Sequence, residues 1–450
     1  MKKHLWFIGV LALCSVVATI SPVNALGINV TTTDDEDNTD LAECSLREAI
    51  QAADTDAAYG GCTAGSGTDT ISLPAGTYQL TLGTHLQIDS QVTISGAGAA
   101  STFIQAGSAE NSVSHRVFFV DSDGWGTFSG VTIRYGGIWN SASVTFGGGI
   151  LNNGITVLTN GTQVRDNGAW GGGGITMQGT TAQLSIEAGT SVESNTSSSI
   201  GGGIYMRNGT ILMAGALNEN RANGNSGGGM YQEAGSGTLT GTVSGNTIGN
   251  NFGGGLYLST NGIAISGATI TANTADASGG GIEFLNGGSI ENSTISDNSA
   301  GSGAAIWLDH GTLTITNTTI RDNHSVAGSG AIYNAFGGTV TITGSRLLFN
   351  TGTLATGNAY FSNAVTNSDS ITDSCIVGHN PTAIRDAGGA AFVATNNWWG
   401  VAAGPGPVGP STGGDTITTN VTFTGWKTSA PTGCPVCIEP SGVGNGRICS

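Results

Sequence analysis

Short stretches in which apolar and polar residues alternate recur along most of the chain. Leu313 and Ile315 illustrate the alternation in one stretch, and Ile263 and Ile265 do so in another. A period of two residues buries one face of a β-strand. Each copy of the pattern predicts about three short strands separated by turns, and none contains the period of a helix.

The alternation belongs to an internal repeat that two short motifs mark. Three Gly residues followed by an aliphatic residue recur at spacings of 24 to 29 residues, with degenerate copies at the end. The aliphatic positions are Ile150, Ile175, Ile204, Met230, Leu256, Ile282, Ile306 and Ile332. In step with them, an aliphatic residue precedes Asn by three positions at Asn167, Asn195, Asn220, Asn246, Asn273, Asn298, Asn323 and Asn350, and again at Asn380. A unit of about 25 residues buries its apolar face only by stacking on its neighbours.

The repeat predicts an all-β fold, a right-handed parallel β-helix over residues 68–428 with one coil of about 25 residues per repeat. Neighbouring coils should lie about 4.8 Å apart. We expect the Asn residues to form a ladder at a corner, where Asn tolerates left-handed backbone. The Gly runs should lie where φ is positive or where backbones pack too closely for a Cβ. A phosphate-binding loop is excluded because no copy is followed by Lys.

One stretch, CSLREAIQAA at 44–53, predicts a helix instead. Ser45 and Glu48 have the spacing of a capping box, and the apolar residues Leu46, Ala49, Ile50 and Ala53 fall on one helical face. A β-helix has an open apolar end with unpaired backbone groups. We therefore expect residues 26–67 to form an N-terminal cap. Arg47 has acidic neighbours at 34–37 and requires no substrate to explain it.

The first 25 residues are typical of a bacterial Sec-type signal peptide. Lys2 and Lys3 precede an apolar run, and residues 23–25 resemble a cleavage site. We therefore expect a secreted or cell-surface protein. After their removal, 11 basic residues face 30 acidic ones, a net charge of −19. This charge repels phosphate backbones, so nucleic acid is excluded as a partner, and no later segment is long and apolar enough to span a membrane.

Six cysteines follow the signal peptide, and an even number in an exported protein predicts disulfides. We expect Cys44 to pair with Cys62, because both lie in the small N-terminal unit. The pairing of Cys375, Cys434, Cys437 and Cys449 stays open. Cys434 and Cys437 have the spacing of half a zinc site or a redox pair, but no second such pair or nearby His supports either. Residues 429–450 are predicted to be a tail rich in Cys, Pro and Gly.

Several motifs resemble known families. CSLREAI, the second Cys and DTISLPAGTY resemble the N-terminal CSLREA domain of bacterial surface and secreted proteins. The GGGI and I-x-x-N motifs are similar to the repeats of chlamydial polymorphic outer-membrane proteins. NNWWG followed by AGPGP is similar to the end of many right-handed β-helix proteins of the pectin-lyase-like superfamily. The resemblance implies an exported β-helix but no single activity, since this fold hosts adhesins, lyases and glycosidases.

Charged residues at matching repeat positions are the candidates for catalysis. On this fold, lyases typically pair an Arg or Lys base with calcium-binding carboxylates, and glycosidases use carboxylates on adjacent coils. Asp297 and Asp322 share one repeat position on successive coils, and Arg321 and His324 flank the second of them. However, Asp is also common beside Asn in turns for purely structural reasons, and the pattern favours this structural role over catalysis. No cofactor is expected. Calcium is possible at the acidic run 34–37, although this run lacks the spacing of a calcium loop.

The residue after the repeat's aliphatic position predicts a binding surface. It should face outward, and it is aromatic in five of six successive copies, with Glu283 as the exception. We call these five residues the aromatic column: Tyr205, Tyr231, Tyr257, Trp307 and Tyr333. Aromatic faces on a rigid surface suit sugar rings or partner proteins. Alternatively, the rings stabilise the sheet by packing on one another.

These observations favour a structural or adhesive surface protein over an enzyme. Its expected ligand is carbohydrate or another surface component, bound along the aromatic column. One alternative is a polysaccharide lyase or glycosidase of the pectin-lyase-like superfamily. Another is a passenger-type fragment of a larger surface assembly.

Overall fold

The computed structural model describes residues 27–137, 145–249, 251–353, 358–363, 365, 369–379, 382–389, 391–406, 414–438 and 448–449. The predicted signal peptide and the repeat position at Asn380 lie outside these residues. Among the described residues, no helix has the length and apolar character needed to cross a membrane.

The chain forms a parallel β-solenoid of about 12 turns with about 27 residues per turn, which confirms the predicted parallel β-helix. A central coil passes in order through four sheets, here named A to D. The sequence predicts three strands per coil. The additional sheet, D, follows the Asn motif, and several of its strands are only two residues long.

The strands of the four sheets are as follows. Sheet A contains Leu86–Ile88, Phe118–Val120, Ile150–Asn152, Ile175–Met177, Ile204–Met206, Met230–Gln232, Leu256–Leu258, Ile282–Phe284, Ile306–Leu308, Ile332–Asn334, Tyr360–Ser362 and Ile384–Asp386. Sheet B contains Gly27–Asn29, Asp69–Leu73, Gln91–Gly96, Trp125–Ser129, Ile155–Thr159, Gln183–Ile186, Thr210–Met213, Ser236–Leu239, Ile263–Ser266, Gly287–Glu291, Thr312–Thr316, Thr339–Thr343, Ser370–Thr372, Phe392–Val393 and Val421–Thr422. Sheet C contains Gly76–Gln79, Thr102–Gln105, Thr132–Arg134, Gln163–Arg165, Ser191–Glu193, Ala216–Asn218, Thr242–Ser244, Thr269–Thr271, Thr294–Ser296, Thr319–Arg321, Arg346–Leu348 and Cys375–Val377. Sheet D contains Gly168–Gly171, Thr196–Ile200, Arg221–Ala222, Thr247–Ile248, Thr274–Ala275, Ser299–Ser302, His324–Ser329 and Thr351–Gly352.

The predicted Asn ladder lies at the corner between sheets C and D. Each Asn Nδ2 donates to Oδ1 of the Asn on the next coil at 2.9–3.0 Å. That Oδ1 also accepts from the backbone N–H of the same donor Asn at 3.0–3.1 Å. The ladder therefore satisfies the polar groups that the corner buries.

The left-handed backbone at this corner is not where the sequence predicts it. The residue before each ladder Asn has the positive φ, as at Asp297 (58°) and Asp322 (56°), and no ladder Asn does. The preceding residue makes the turn, which leaves the Asn side chain pointing along the stack. After Asn350 the register places His379 in the ladder, with Nε2 3.3 Å from Asn350 Nδ2.

The Gly runs serve both predicted purposes at the corner between sheets D and A. Gly253, the first of its run, has φ +72°. A Cβ on Gly254 would lie 2.5 Å from the carbonyl oxygen of Gly280 on the next coil, and one on Gly255 would lie 2.5 Å from that of Gly281. A Cβ at either position of this coil would therefore require the neighbouring backbone to shift.

The predicted helix spans Leu46–Thr55 and lies against the first strands of sheets A and B. The capping box is confirmed, because Ser45 Oγ accepts from Glu48 N–H and Glu48 Oε2 accepts from Ser45 N–H. The predicted apolar face, which includes Ile50, is buried. Arg47 binds both carboxylate oxygens of Asp35, at 2.8 and 3.1 Å.

Three disulfides are present among the described residues. The predicted Cys44–Cys62 bond is confirmed and joins the start of the helix to the segment that follows it. Cys375 pairs with Cys434, and Cys437 pairs with Cys449. The two cysteines of the CxxC motif therefore have different partners: the bond of Cys434 attaches the C-terminal segment to the solenoid, and the bond of Cys437 closes a loop within that segment.

Candidate functional site

The outward-facing residues of sheet A form one continuous column across successive coils. Strand register places Glu283 between Tyr257 and Trp307. From the fourth strand onward, in order along the solenoid, these residues are Thr176, Tyr205, Tyr231, Tyr257, Glu283, Trp307, Tyr333, Phe361 and Arg385. The five residues of the aromatic column therefore share one face, and Phe361 extends it by a coil.

The rings of the aromatic column pack on one another. Tyr231 and Tyr257 stack with centroids 5.1 Å apart, and Trp307 and Tyr333 meet edge to face at 4.4 Å. Consequently most of the rings are half-buried, and Tyr205, which also contacts Phe146, is only 5% exposed. The column is thus less exposed than the sequence predicts, and its packing also stabilises the sheet.

Glu283 interrupts the aromatic column with a carboxyl group that is only 3% exposed. Its Oε2 accepts a hydrogen bond of 2.8 Å from Ser278 Oγ at the preceding corner. Burial, together with the negative charge of Asp309, raises the pKa of Glu283 to about 8, although the Ser278 hydrogen bond opposes this shift. At neutral pH this side chain is therefore a protonated acid.

Asp309 provides a second carboxylate on the coil after Glu283. It lies two residues beyond Trp307, the partner of Glu283 in strand register. Trp307 Nε1 donates to Asp309 Oδ1 at 2.6 Å, which fixes the carboxylate beside the aromatic ring. Asp309 is partly exposed. The sequence pattern places Glu283 in the column but assigns it no role. The signal that could have identified it is a single acidic residue among aromatic ones, with an Asp two residues after the next aromatic residue of the column.

A buried carboxyl group with a raised pKa, together with a second carboxyl group on the next coil, is an arrangement that general acid–base chemistry can use. The protonated group donates its proton to a leaving atom, and the ionised group accepts a proton or attacks. The flanking rings offer flat apolar surfaces on either side of Glu283. Together they can hold a ring-shaped substrate across a pair of carboxyl groups.

The catalytic candidates predicted from the repeat lie elsewhere, at the corner between sheets C and D. The structure does bring Asp297 and Asp322 to the same position on successive coils. Arg321 Nη1 lies 2.6 Å from Asp322 Oδ2, and His324 Nδ1 lies 2.9 Å from Thr351 Oγ1, all on the exposed surface. Both Asp residues have left-handed backbone, so a structural role in the turn is enough to explain why they are there.

The described part of the chain contains no group of three or more His, Cys, Asp or Glu residues arranged to hold a metal ion. In the acidic run at 34–37, Asp35 binds Arg47, and Asp37 accepts a hydrogen bond of 2.7 Å from the Tyr59 hydroxyl. These contacts give the run a structural role in the cap.

No family model and no curated protein matches the sequence, so the CSLREA resemblance of the cap stays a prediction. Two solved structures align with the chain. The Agl-KA catalytic domain aligns with a TM-score of 0.50 and 16% identity, over 90% of this chain and 69% of that one. The catalytic unit of the thermostable GH87 alpha-1,3-glucanase from Streptomyces thermodiastaticus strain HF3-3 aligns with a TM-score of 0.45 and 14% identity, over 91% and 72%. At this identity the first similarity establishes the fold.

Proposed function

We propose that this protein is an exported glycoside hydrolase that binds a polysaccharide along the aromatic column and cleaves it at Glu283 and Asp309. The observation that carries the proposal is a buried carboxyl group in the middle of an outward-facing row of aromatic rings, where burial raises its pKa. A second carboxylate one coil away completes the pair that glycosidases use.

In this mechanism Glu283 is the general acid. It donates its proton to the glycosidic oxygen as the bond between that oxygen and the anomeric carbon breaks. Asp309 either takes a proton from the attacking water or attacks the anomeric carbon itself, and in both cases one water is consumed for each bond cleaved. Trp307 holds Asp309 in place through its indole N–H.

Hydrolysis is favoured over the lyase alternative by the charges around the site. A lyase on this fold would need an Arg or Lys base. The residues flanking Asp309 in the same position on neighbouring coils are Leu285 and Ala335, and Arg385 is at the far end of the column, over the Phe361 ring. The Agl-KA catalytic domain supports the view that a solenoid of this kind can carry an enzyme.

Export is supported by the three disulfides, because such bonds persist in oxidising compartments.

An adhesive role is the second candidate function, and the length of the aromatic column favours it. The column continues for three coils before Glu283 and for several after it, beyond what one cleavage site requires. A passenger-type role in a larger surface assembly is a form of this second candidate.

The test uses the full exported chain with neutral and acidic polysaccharides, measuring both reducing ends and unsaturated products. We expect reducing ends without unsaturated products, and a loss of about 100-fold or more in rate for Glu283→Gln and for Asp309→Asn. Asp322→Asn is the matched control and should retain activity, because it changes a carboxylate of the turn corner. Equal rates for Glu283→Gln and the wild type would refute the catalytic assignment. Binding without turnover would establish the adhesive role instead.

A further inference from the structure

Phe336 exposes a large aromatic ring beside the Glu283 and Asp309 site. It is 64% exposed and lies in the turn between the sheet A strand Ile332–Asn334 and the sheet B strand Thr339–Thr343. Its ring centroid lies 6.3 Å from that of Trp307, the residue that holds Asp309.

The turn that presents Phe336 is fixed from beneath by buried polar groups. The Asn334 amide, which is fully buried, donates to the Gly338 carbonyl at 2.8 Å and to both oxygens of Asp369. Asp369 also accepts from the backbone N–H of Val340 at 2.9 Å. Gly337 has φ +98°, a conformation that strains other residues. The backbone of the turn that carries Phe336 is therefore fixed before any ligand arrives.

His310 extends the aromatic surface around Phe336. The His310 and Phe336 rings are nearly parallel, with an interplanar angle of 22° and centroids 6.0 Å apart, whereas the Trp307 ring is inclined at 67° to that of Phe336. Because His310 directly follows Asp309, this surface begins where the second carboxylate is placed. We call Trp307, His310 and Phe336 the aromatic platform.

We propose that the aromatic platform is a sugar-binding subsite that positions a neutral hexopyranose chain against Glu283 and Asp309. The inference rests on the proposed function and names the substrate class of the same site. The apolar C–H faces of a hexopyranose ring stack on aromatic side chains, as other apolar groups do. Phe336 is thus a positioning residue, and its ring determines which sugar unit lies across the carboxyl groups.

The choice of a neutral sugar follows from the charges around the site. A uronic acid would bring its carboxylate toward Asp309, on a chain whose formal net charge is −17. Like charges at a few ångströms repel, most strongly where water is excluded. The platform itself offers only the imidazole of His310 as a potential cation.

The experiment compares Phe336→Ala, Phe336→Trp and the control Trp125→Ala, which removes a partly exposed aromatic ring from sheet B. Substrates are neutral gluco- and galacto-oligosaccharides and, separately, oligogalacturonides. For Phe336→Ala we expect KM to rise about three- to tenfold, with kcat and the melting temperature nearly unchanged. Phe336→Trp should retain the wild-type KM, and Trp125→Ala should leave it unaltered.

The outcomes separate this inference from the proposed function. An unchanged KM in Phe336→Ala, with turnover intact, would overturn the platform while leaving the hydrolase in place. Uronide chains cleaved as well as neutral ones would overturn the substrate class. If no glycan is turned over, calorimetric binding of the same oligosaccharides decides: weaker binding by Phe336→Ala supports the subsite on an adhesin, and equal or absent binding refutes it.

Discussion

Replacing one rung of the Asn ladder should destabilise the solenoid far more than its size suggests. We choose Asn246→Ala, in the middle of the ladder, where the side chain is fully buried. Its Oδ1 accepts from the backbone N–H and the amide of Asn220, both at 3.0 Å. Its Nδ2 donates to Asn273 Oδ1 at 2.9 Å and to the Leu217 carbonyl at 2.8 Å.

The magnitude follows from counting the partners that lose a bond. Asn273 Oδ1 keeps its bond from the backbone N–H of residue 246 at 3.0 Å. The backbone N–H and one Nδ2–H of Asn220 lose their bonds to Asn246 Oδ1, and the Leu217 carbonyl loses its bond from Asn246 Nδ2. Each buried polar group deprived of its partner costs about 1–3 kcal/mol, so the substitution should lower the free energy of unfolding by roughly 3–9 kcal/mol. This is comparable to the whole stability of many domains, about 5–15 kcal/mol.

Urea unfolding, followed by circular dichroism and tryptophan fluorescence, measures this effect. Because each coil contacts only its neighbours, we expect the midpoint to fall and the transition to broaden as the two halves separate. Asn261→Ala is the control, since Asn261 is exposed in a turn of the following coil, and its effect should stay within about 0.5 kcal/mol. A loss below about 1 kcal/mol for Asn246→Ala would show that the ladder adds little to stability.

Three further predictions concern the ends of the solenoid and the pH response. Replacing Cys44 and Cys62 together by Ala should lower the free energy of unfolding by about 2–4 kcal/mol and promote aggregation through the exposed first coil. Light scattering after mild heating measures the aggregation. A soluble, equally stable variant would contradict the prediction. Asn350 Nδ2 can only donate, so His379 accepts through Nε2 and donates through Nδ1 to Asp415 at 2.9 Å. His379→Leu should therefore cost about 2–4 kcal/mol, whereas His379→Asn, which continues the ladder, should cost less; thermal unfolding that ranks them in reverse would refute the assignment. Because the pKa of Glu283 is raised from 4.5 to about 8, the free energy of unfolding should be highest below pH 4.5 and should fall as pH rises through 8. The protonated acid that catalysis uses is lost over the same range. The pH profiles of unfolding and of rate should therefore both flatten in Glu283→Gln.

The fold could be predicted because the stacking of coils imposes the same demands on every repeat. Asn246 and Gly254 each recur in register on most coils because neighbouring coils leave little room there, although Ala304 takes the Gly position and His379 the Asn position toward the C-terminal end. Sheet D was missed for a physical reason. Strands such as Arg221–Ala222 and Thr247–Ile248 are too short to display an alternation.

The cysteines show a similar division between local and distant information. Cys44 and Cys62 are close in sequence and lie in one small unit, so their bond could be predicted. Cys375 and Cys434 are separated by 59 residues, and the two come together only because the C-terminal segment folds back beside Trp398 and the last coils. No local pattern encodes that return.

The site was half predictable. A period of two tells which residues face outward, and it placed the five aromatic rings and Glu283 in one column. It does not tell how deeply an outward-facing residue is buried. The burial of Glu283 depends on rings from neighbouring coils and on Ser278 across the preceding corner, and these contacts set its pKa.

The two sets of acidic residues differ in what the fold requires of them, and this difference gives a final prediction. At the turn corner, the position of Asp297 and Asp322 is taken on other coils by Ser194, Ala272 and Phe349, so any residue that tolerates the left-handed backbone serves there. An Asp at this corner therefore needs no further explanation.

The position of Glu283 is different, because its neighbours along the column are Tyr257 and Trp307. A buried carboxyl in place of a ring gives up packing and desolvates a polar group, and only Ser278 offsets this. We therefore expect Glu283→Tyr, which continues the column, to raise the melting temperature at pH 8 while abolishing hydrolysis, as is common where a site is kept at the expense of stability. Differential scanning calorimetry and the reducing-end assay measure the two effects. A variant that is less stable than the wild type would show that Glu283 is retained for the fold, and the catalytic assignment would lose its physical basis.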